Sequence, residues 1–95
     1  MVDDALRHRI ETELPGWSVE GETLAAEWRF PDFGAALAAT VRVGALAERA
    51  DHHPDLELGW GRLAVRLTTH SAGGLTVKDV ELAGAVAAAI GAPGR

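Results

Sequence analysis

The apolar residues of this chain change their spacing several times, and each change falls at a glycine or a proline. Leu6, Ile10 and Leu14 recur every four residues between Asp3 and Leu14, the spacing of one face of an amphipathic helix. Pro15-Gly16 stops that pattern. Trp17-Ser18-Val19-Glu20 then alternates apolar and polar, Gly21-Glu22 offers a tight turn, and Thr23 to Phe30 reads as the return strand. Pro31-Asp32 opens a second helix with Asp32 placed to cap it. The alanines behind it favour helix to about Arg49, and Phe33, Leu37, Val41 and Ala45 share one face. Pro54 disfavours helical geometry at His53, which puts His52-His53 on an extended segment leaving that helix. Leu56 to Trp60 and Arg62 to Thr69 read as a second hairpin around Gly59 and Gly61, with Leu63, Val65 and Leu67 on one face. After a small-residue loop, Ser71 to Gly74, Thr76 stands three residues before Asp79, which resembles a capping box. The helix that follows carries Leu82, Val86 and Ile90 on one face.

The order is therefore α-β-β-α-β-β-α. Two antiparallel hairpins join into one four-stranded antiparallel sheet, with three helices packed on one face, an α+β fold. A chain of 95 residues fits a single domain over residues 1–95. A core of that size is modest, so oligomerisation is expected to bury further apolar area. The other face of the sheet, or one of its edges, is left for a partner subunit.

Composition narrows the function classes. With 47% hydrophobic and 24% charged residues, the chain is of the folded kind. A net charge of -5 and nine scattered basic residues argue against nucleic acid and against anionic membranes as partners. The absence of cysteine excludes disulfides, thiolate zinc sites and cysteine nucleophiles. Met1-Val2-Asp3-Asp4 lacks the features of a signal peptide, and the longest apolar stretch, Leu82 to Pro93, is too short to span a bilayer. A cytoplasmic protein is expected.

The histidines carry the remaining signal. His8 lies among charged neighbours on the first helix and is taken as solvated surface. His52, His53 and His70 all fall at element ends, where binding residues gather. Adjacent residues of an extended chain point to opposite sides, so His52 and His53 do not easily share one metal ion. No carboxylate stands at a recognised metal spacing either, and no metal site is expected.

The stretches Glu48-Arg49-Ala50-Asp51-His52-His53-Pro54-Asp55, Leu67-Thr68-Thr69-His70 and Gly73-Gly74-Leu75-Thr76-Val77-Lys78-Asp79 together resemble the pterin-4a-carbinolamine dehydratase family. Gly16-Trp17 and Phe30-Pro31-Asp32-Phe33 sit where that family has its Gly-Trp and Phe-Lys-Asp-Phe segments, so the resemblance runs from about Leu14 to Ile90. Trp60 stands where the family commonly has Tyr, and Leu56-Glu57-Leu58-Gly59 lacks its usual aromatic and Asn. The resemblance implies dehydration of a 4a-hydroxytetrahydropterin to quinonoid dihydropterin in tetrahydrobiopterin recycling, with no metal, nucleotide or redox cofactor. It implies catalytic roles for His52, His53 and His70, and substrate contacts from Asp51, Thr68, Thr69 and Ser71. It also implies a homodimer or homotetramer built through strand and helix contacts.

Loss of water from a carbinolamine needs a proton removed near N5 and a proton given to the departing hydroxyl. Imidazole, with an ordinary pKa of about 6.5, offers both protonation states near neutral pH. On this reading His53 and His70 flank the C4a–N5 edge, and His52 contributes to binding and proton transfer. Glu48, four residues before His52, either orients its ring or is a solvated helix residue. Asp51 binds the amino-pyrimidinone face or caps the helix end. Asp79 caps its helix or orients a catalytic group, and Trp17 and Trp28 belong to the core. Two other classes stand beside this one. One is a non-catalytic protein-binding or dimerisation module resembling a transcriptional coactivator; the other is a metal-dependent hydrolase.

Overall fold

Short-range acceptors start every long helix. Asp3 accepts from the Leu6 N–H ahead of α1 (Asp4–Glu13), and Asp32 accepts from the Ala35 N–H ahead of α2 (Phe33–Ala50). Thr76 and Asp79 form a reciprocal capping box on α3 (Val77–Ile90). Each bond satisfies a donor that the first helical turn would otherwise leave unpaired. The structure, a computed structural model, describes residues 2–94. Between the helices lie β1 (Ser18–Glu20), β2 (Thr23–Arg29), β3 (Asp55–Gly59) and β4 (Arg62–Leu67), with a one-turn 3-10 helix at His70–Ala72. Among the described residues, no helix is long and apolar enough to cross a membrane.

The two hairpins join through β2 and β4, giving one antiparallel sheet in the order β1-β2-β4-β3. Across the central pair, Leu24 faces Leu67, Ala26 faces Val65 and Trp28 faces Leu63. These six side chains form the inner face and are buried. Their alternates, Ala25, Glu27, Ala64 and Arg66, look away from the helices, as the two-residue period of a strand demands.

The helical layer meets the inner face with small residues. α2 buries Ala36, Ala39, Val43 and Ala47. The Phe33–Leu37–Val41 face turns outward instead, with exposures of 44%, 43% and 63%. Both stripes repeat at helical spacing, and the alanine stripe faces inward, where small side chains allow the helix to approach the sheet. α1 contributes Ile10 and Leu14, with Leu6 packed beside them, and α3 contributes Val80, Leu82, Ala83 and Val86.

The segment after α3 returns to the sheet. β1 pairs β2 only up to Ala25, so the rest of that edge is open. The Gly94 N–H donates to the Glu27 carbonyl there at 2.7 Å, and Trp28 Nε1 donates to the Gly91 carbonyl at 3.0 Å. Trp17 stacks edge-on against Trp28, with ring centroids 5.5 Å apart. Gly16 lets this strap approach, since a Cβ there would stand 2.6 Å from the Pro93 carbonyl oxygen, and its φ of +87° is left-handed. Gly16→Ala is therefore expected to lower stability by at least about 1 kcal/mol and to change tryptophan fluorescence. A urea midpoint and emission spectrum identical to the parent would contradict this role for the strap.

Candidate active site

Asp51 is the hinge that aims the histidines. Its backbone is left-handed (φ 51°, ψ 43°), the only positive φ at a non-glycine among the described residues. Aspartate tolerates that region better than most residues. The His52 N–H reaches back to the Ala47 carbonyl at 3.1 Å and the Asp51 N–H to the Glu48 carbonyl at 3.2 Å. These crossed bonds are a Schellman closure of α2. Asp51 thus ends the helix, and its exposed side chain remains open to a ligand. The chain then runs extended into Pro54, and the two imidazoles take opposite sides.

His52 turns inward. Its side chain is 13% exposed, and Nε2 lies 2.5 Å from Asp79 Oδ1. His53 turns outward, with 58% of its side chain exposed and Nε2 2.7 Å from Glu48 Oε1. The helical spacing pointed to Glu48 as a partner of His52; the structure gives it to His53 instead. The left-handed turn at Asp51 reverses the chain, so His53 comes back over the last turn of α2.

Asp79 is fully buried and collects donors from three segments. Its Oδ2 accepts from the Thr76 N–H at 2.9 Å and from Thr69 Oγ1 at 2.8 Å, while Oδ1 faces His52. Thr69 and Thr76 also share a hydroxyl–hydroxyl bond of 2.8 Å. One Asp79 oxygen thus caps α3 while the other faces the His52 ring. Facing an ionised carboxylate, which only accepts, a neutral imidazole carries its hydrogen on the facing nitrogen and keeps the lone pair on the other.

The other histidine arrives on a clasped loop. Thr69 and Gly74 pair as an isolated bridge, with bonds of 3.1 and 3.3 Å. Between them His70–Ala72 makes one 3-10 turn, closed by left-handed Gly73 (φ 77°) donating to the His70 carbonyl. His70 and Ser71 project into solvent. The His70 ring makes no side-chain hydrogen bond among the described residues.

Thr68 Oγ1 donates to the Glu22 carbonyl at 2.7 Å, and Thr69, buried, donates to Asp79 at 2.8 Å. Both hydroxyls thus also tie segments of the fold together. The bonds from His52 through Asp79 to Thr69 tie the Asp51–His53 stretch to the loop bearing His70 and Ser71. His53 and His70 stand at the exposed ends of that linkage. A cavity of about 420 Å³ opens beside His52, between α2 and α3, and neither His53 nor His70 lines it. Sequence reasoning missed this cavity and the Thr69–Thr76–Asp79 cluster. The capping signature at Thr76 and Asp79 signalled the second in part, but nothing in the spacing marked Thr69 as its third member.

Comparison with known proteins bears directly on this arrangement. Residues 1–89 match the family model described as Pterin 4 alpha carbinolamine dehydratase. A protein of Thermomicrobium roseum, provisionally named a pterin-4-alpha-carbinolamine dehydratase, is 43% identical over 82 residues, covering 86% of this chain and 88% of its own. One from Chlorobium limicola, similarly named, is 51% identical over 79 residues, covering 79% and 70%. A crystal structure from Brucella melitensis, described as a transcriptional coactivator/pterin dehydratase, superposes with a TM-score of 0.83 at 30% identity, covering 92% of this chain and 95% of its own. A pterin dehydratase-like protein described as a RuBisCO assembly factor in the alpha-carboxysome shares the fold, with a TM-score of 0.65 at 19% identity, covering 80% and 88%. By the span of the family match and the identity to these relatives, the chain belongs to the pterin-4-alpha-carbinolamine dehydratase family.

Proposed function

We propose that this chain dehydrates a 4a-hydroxytetrahydropterin to the quinonoid dihydropterin by imidazole acid–base catalysis. The observation that carries the reading is the His52–Asp79 pair. A buried carboxylate held by two further donors fixes one ring nitrogen of a histidine at the mouth of the Asp51–His53 stretch. In the step itself, an imidazolium protonates the C4a hydroxyl, the C4a–O bond breaks and water leaves. A neutral imidazole takes the proton from N5 as the C4a–N5 double bond forms. His53 and His70 flank that edge, and His52 contributes to binding and proton transfer. Glu48 steadies His53 as Asp79 steadies His52, while Asp51 and Ser71 offer polar contacts to the pyrimidinone. No metal or redox cofactor enters the balance.

The alternative is a binding module without catalysis, favoured by the coactivator wording attached to the Brucella melitensis structure. Retention of His52, His53 and His70 together with the buried orienting carboxylate supports the enzyme.

On the same reading the chain assembles as a homodimer or homotetramer. The outward Phe33–Leu37–Val41 stripe supports this, since three large apolar side chains on one helix face gain from mutual burial.

Replacing His53 or His70 with Ala is expected to lower kcat for carbinolamine dehydration by about 10²–10⁴-fold. Unchanged turnover in the His70→Ala protein would remove that residue from the mechanism, and a parent protein inert on every 4a-hydroxypterin would leave the binding module standing. Asp79→Asn should reduce kcat, alter the pH profile, and cost about 1–3 kcal/mol of stability as its donors lose a charged acceptor. For assembly, sedimentation of the Leu37→Glu/Val41→Glu double variant should give a smaller species than the parent. Equal masses would exclude this face from the interface.

A further inference from the structure

The cavity between α2 and α3 is lined by His52 but by neither His53 nor His70, the two rings placed at the C4a–N5 edge. Leu46, Ala50 and Leu82 give it an apolar lining, Arg49 and Lys78 flank it, and His52 lines it too. At about 420 Å³ it falls within the range of small-molecule sites.

Two cations, Arg49 and Lys78, line it. Arg62 and Arg66, on the open face of the sheet, are each engaged by carboxylates. Arg49 and Lys78 form no ion pair with any other described residue. Lys78 stands in the first turn of α3, where the helix dipole adds to positive charge instead of offsetting it. Glu81 is the one carboxylate lining the cavity, so two cations stand against one anion among its lining side chains, in a chain whose net charge is -5. The Asp79 carboxylate lies behind His52 and is taken up by its own donors.

We infer that this cavity binds a small amphipathic anion. A flat or hydrocarbon body lies on Leu46 and Leu82, and a carboxylate or phosphate group meets Arg49 and Lys78. The bound molecule also touches the His52 imidazole that Asp79 holds.

The test is a titration of the full-length chain followed by NMR, with phenyl phosphate, phenylacetate and benzyl alcohol as probes. One or both anions should produce saturable shifts at the Leu46, Ala50 and Leu82 amides and at the His52 ring, and which of them does so identifies the anionic group. Benzyl alcohol should bind about tenfold more weakly, and the Arg49→Gln/Lys78→Gln double variant should lose a similar factor for the anions. Both residues are exposed, so that variant keeps the fold. The inference is overturned by equal binding of the alcohol, by undiminished binding to the double variant, or by the absence of saturable shifts with either anion. None of these readouts measures turnover, so the outcome is independent of the dehydratase reading.

Discussion

A carboxylate with no solvent exposure is the constraint around which this molecule is arranged. Transferring such a charge from water costs several kcal/mol, which only directed donors offset. Asp79 obtains them from the start of its own helix, from Thr69 beyond β4, and from His52 beyond α2. The donors lie 3, 10 and 27 residues from Asp79 in sequence and converge on its two oxygen atoms. The bonds that close the helical layer over the end of the sheet are thus the same bonds that place an imidazole. If any donor withdrew, a buried charge would be left uncompensated, so the three segments hold position together. A loop bearing His70 and a helix exit bearing His53 inherit that rigidity from neighbours only one residue away.

The rest of the architecture divides labour between apolar and charged surfaces. The Leu24–Leu67, Ala26–Val65 and Trp28–Leu63 pairs lie under the helices and carry the burial. On the opposite face Arg62 reaches Glu27 and Glu57, and Arg66 reaches Glu20. Exposed pairs of this type contribute about 0–1 kcal/mol each. Their effect is to keep that face wet and unsuited to the core. α2 spends its alanines on the interior and presents larger side chains outward. A small domain that places Phe33, Leu37 and Val41 in solvent leaves apolar area unburied that its own core does not use.

What was legible in the sequence follows from the range of the interactions. Caps at Asp32 and Thr76, the breaks at Pro15-Gly16 and Pro54, and the alternation along β4 are local, and the structure has each of them. The facing of α2 was not legible, because two stripes repeat at helical spacing and only the sheet decides which one turns inward. The partner of His53 was not legible either. It depends on one left-handed residue at Asp51, and a single reversal leaves no trace in hydrophobic periodicity. Thr69 looks ordinary in a strand, since threonine is common there. Its burial against Asp79 arises only once α3 has docked. The segment from Gly91 to Gly94 carries no periodic signal in the sequence, yet it bonds to an edge that β1 is too short to cover.

The contrast between the imidazoles bears on the chemistry proposed for them. Many active sites exclude water because it competes with the intended nucleophile or destroys an intermediate. Dehydration has no such need: water is the product, and each turnover must return the acid and the base to their starting protonation states. Rings open to solvent, as His53 and His70 are, exchange protons without a relay. A ring held by a buried carboxylate, as His52 is, is fixed in orientation. One fixed and two solvent-facing imidazoles therefore suit the proposed reaction, which needs alignment at a single edge of a flat ring but no sealed chamber around it.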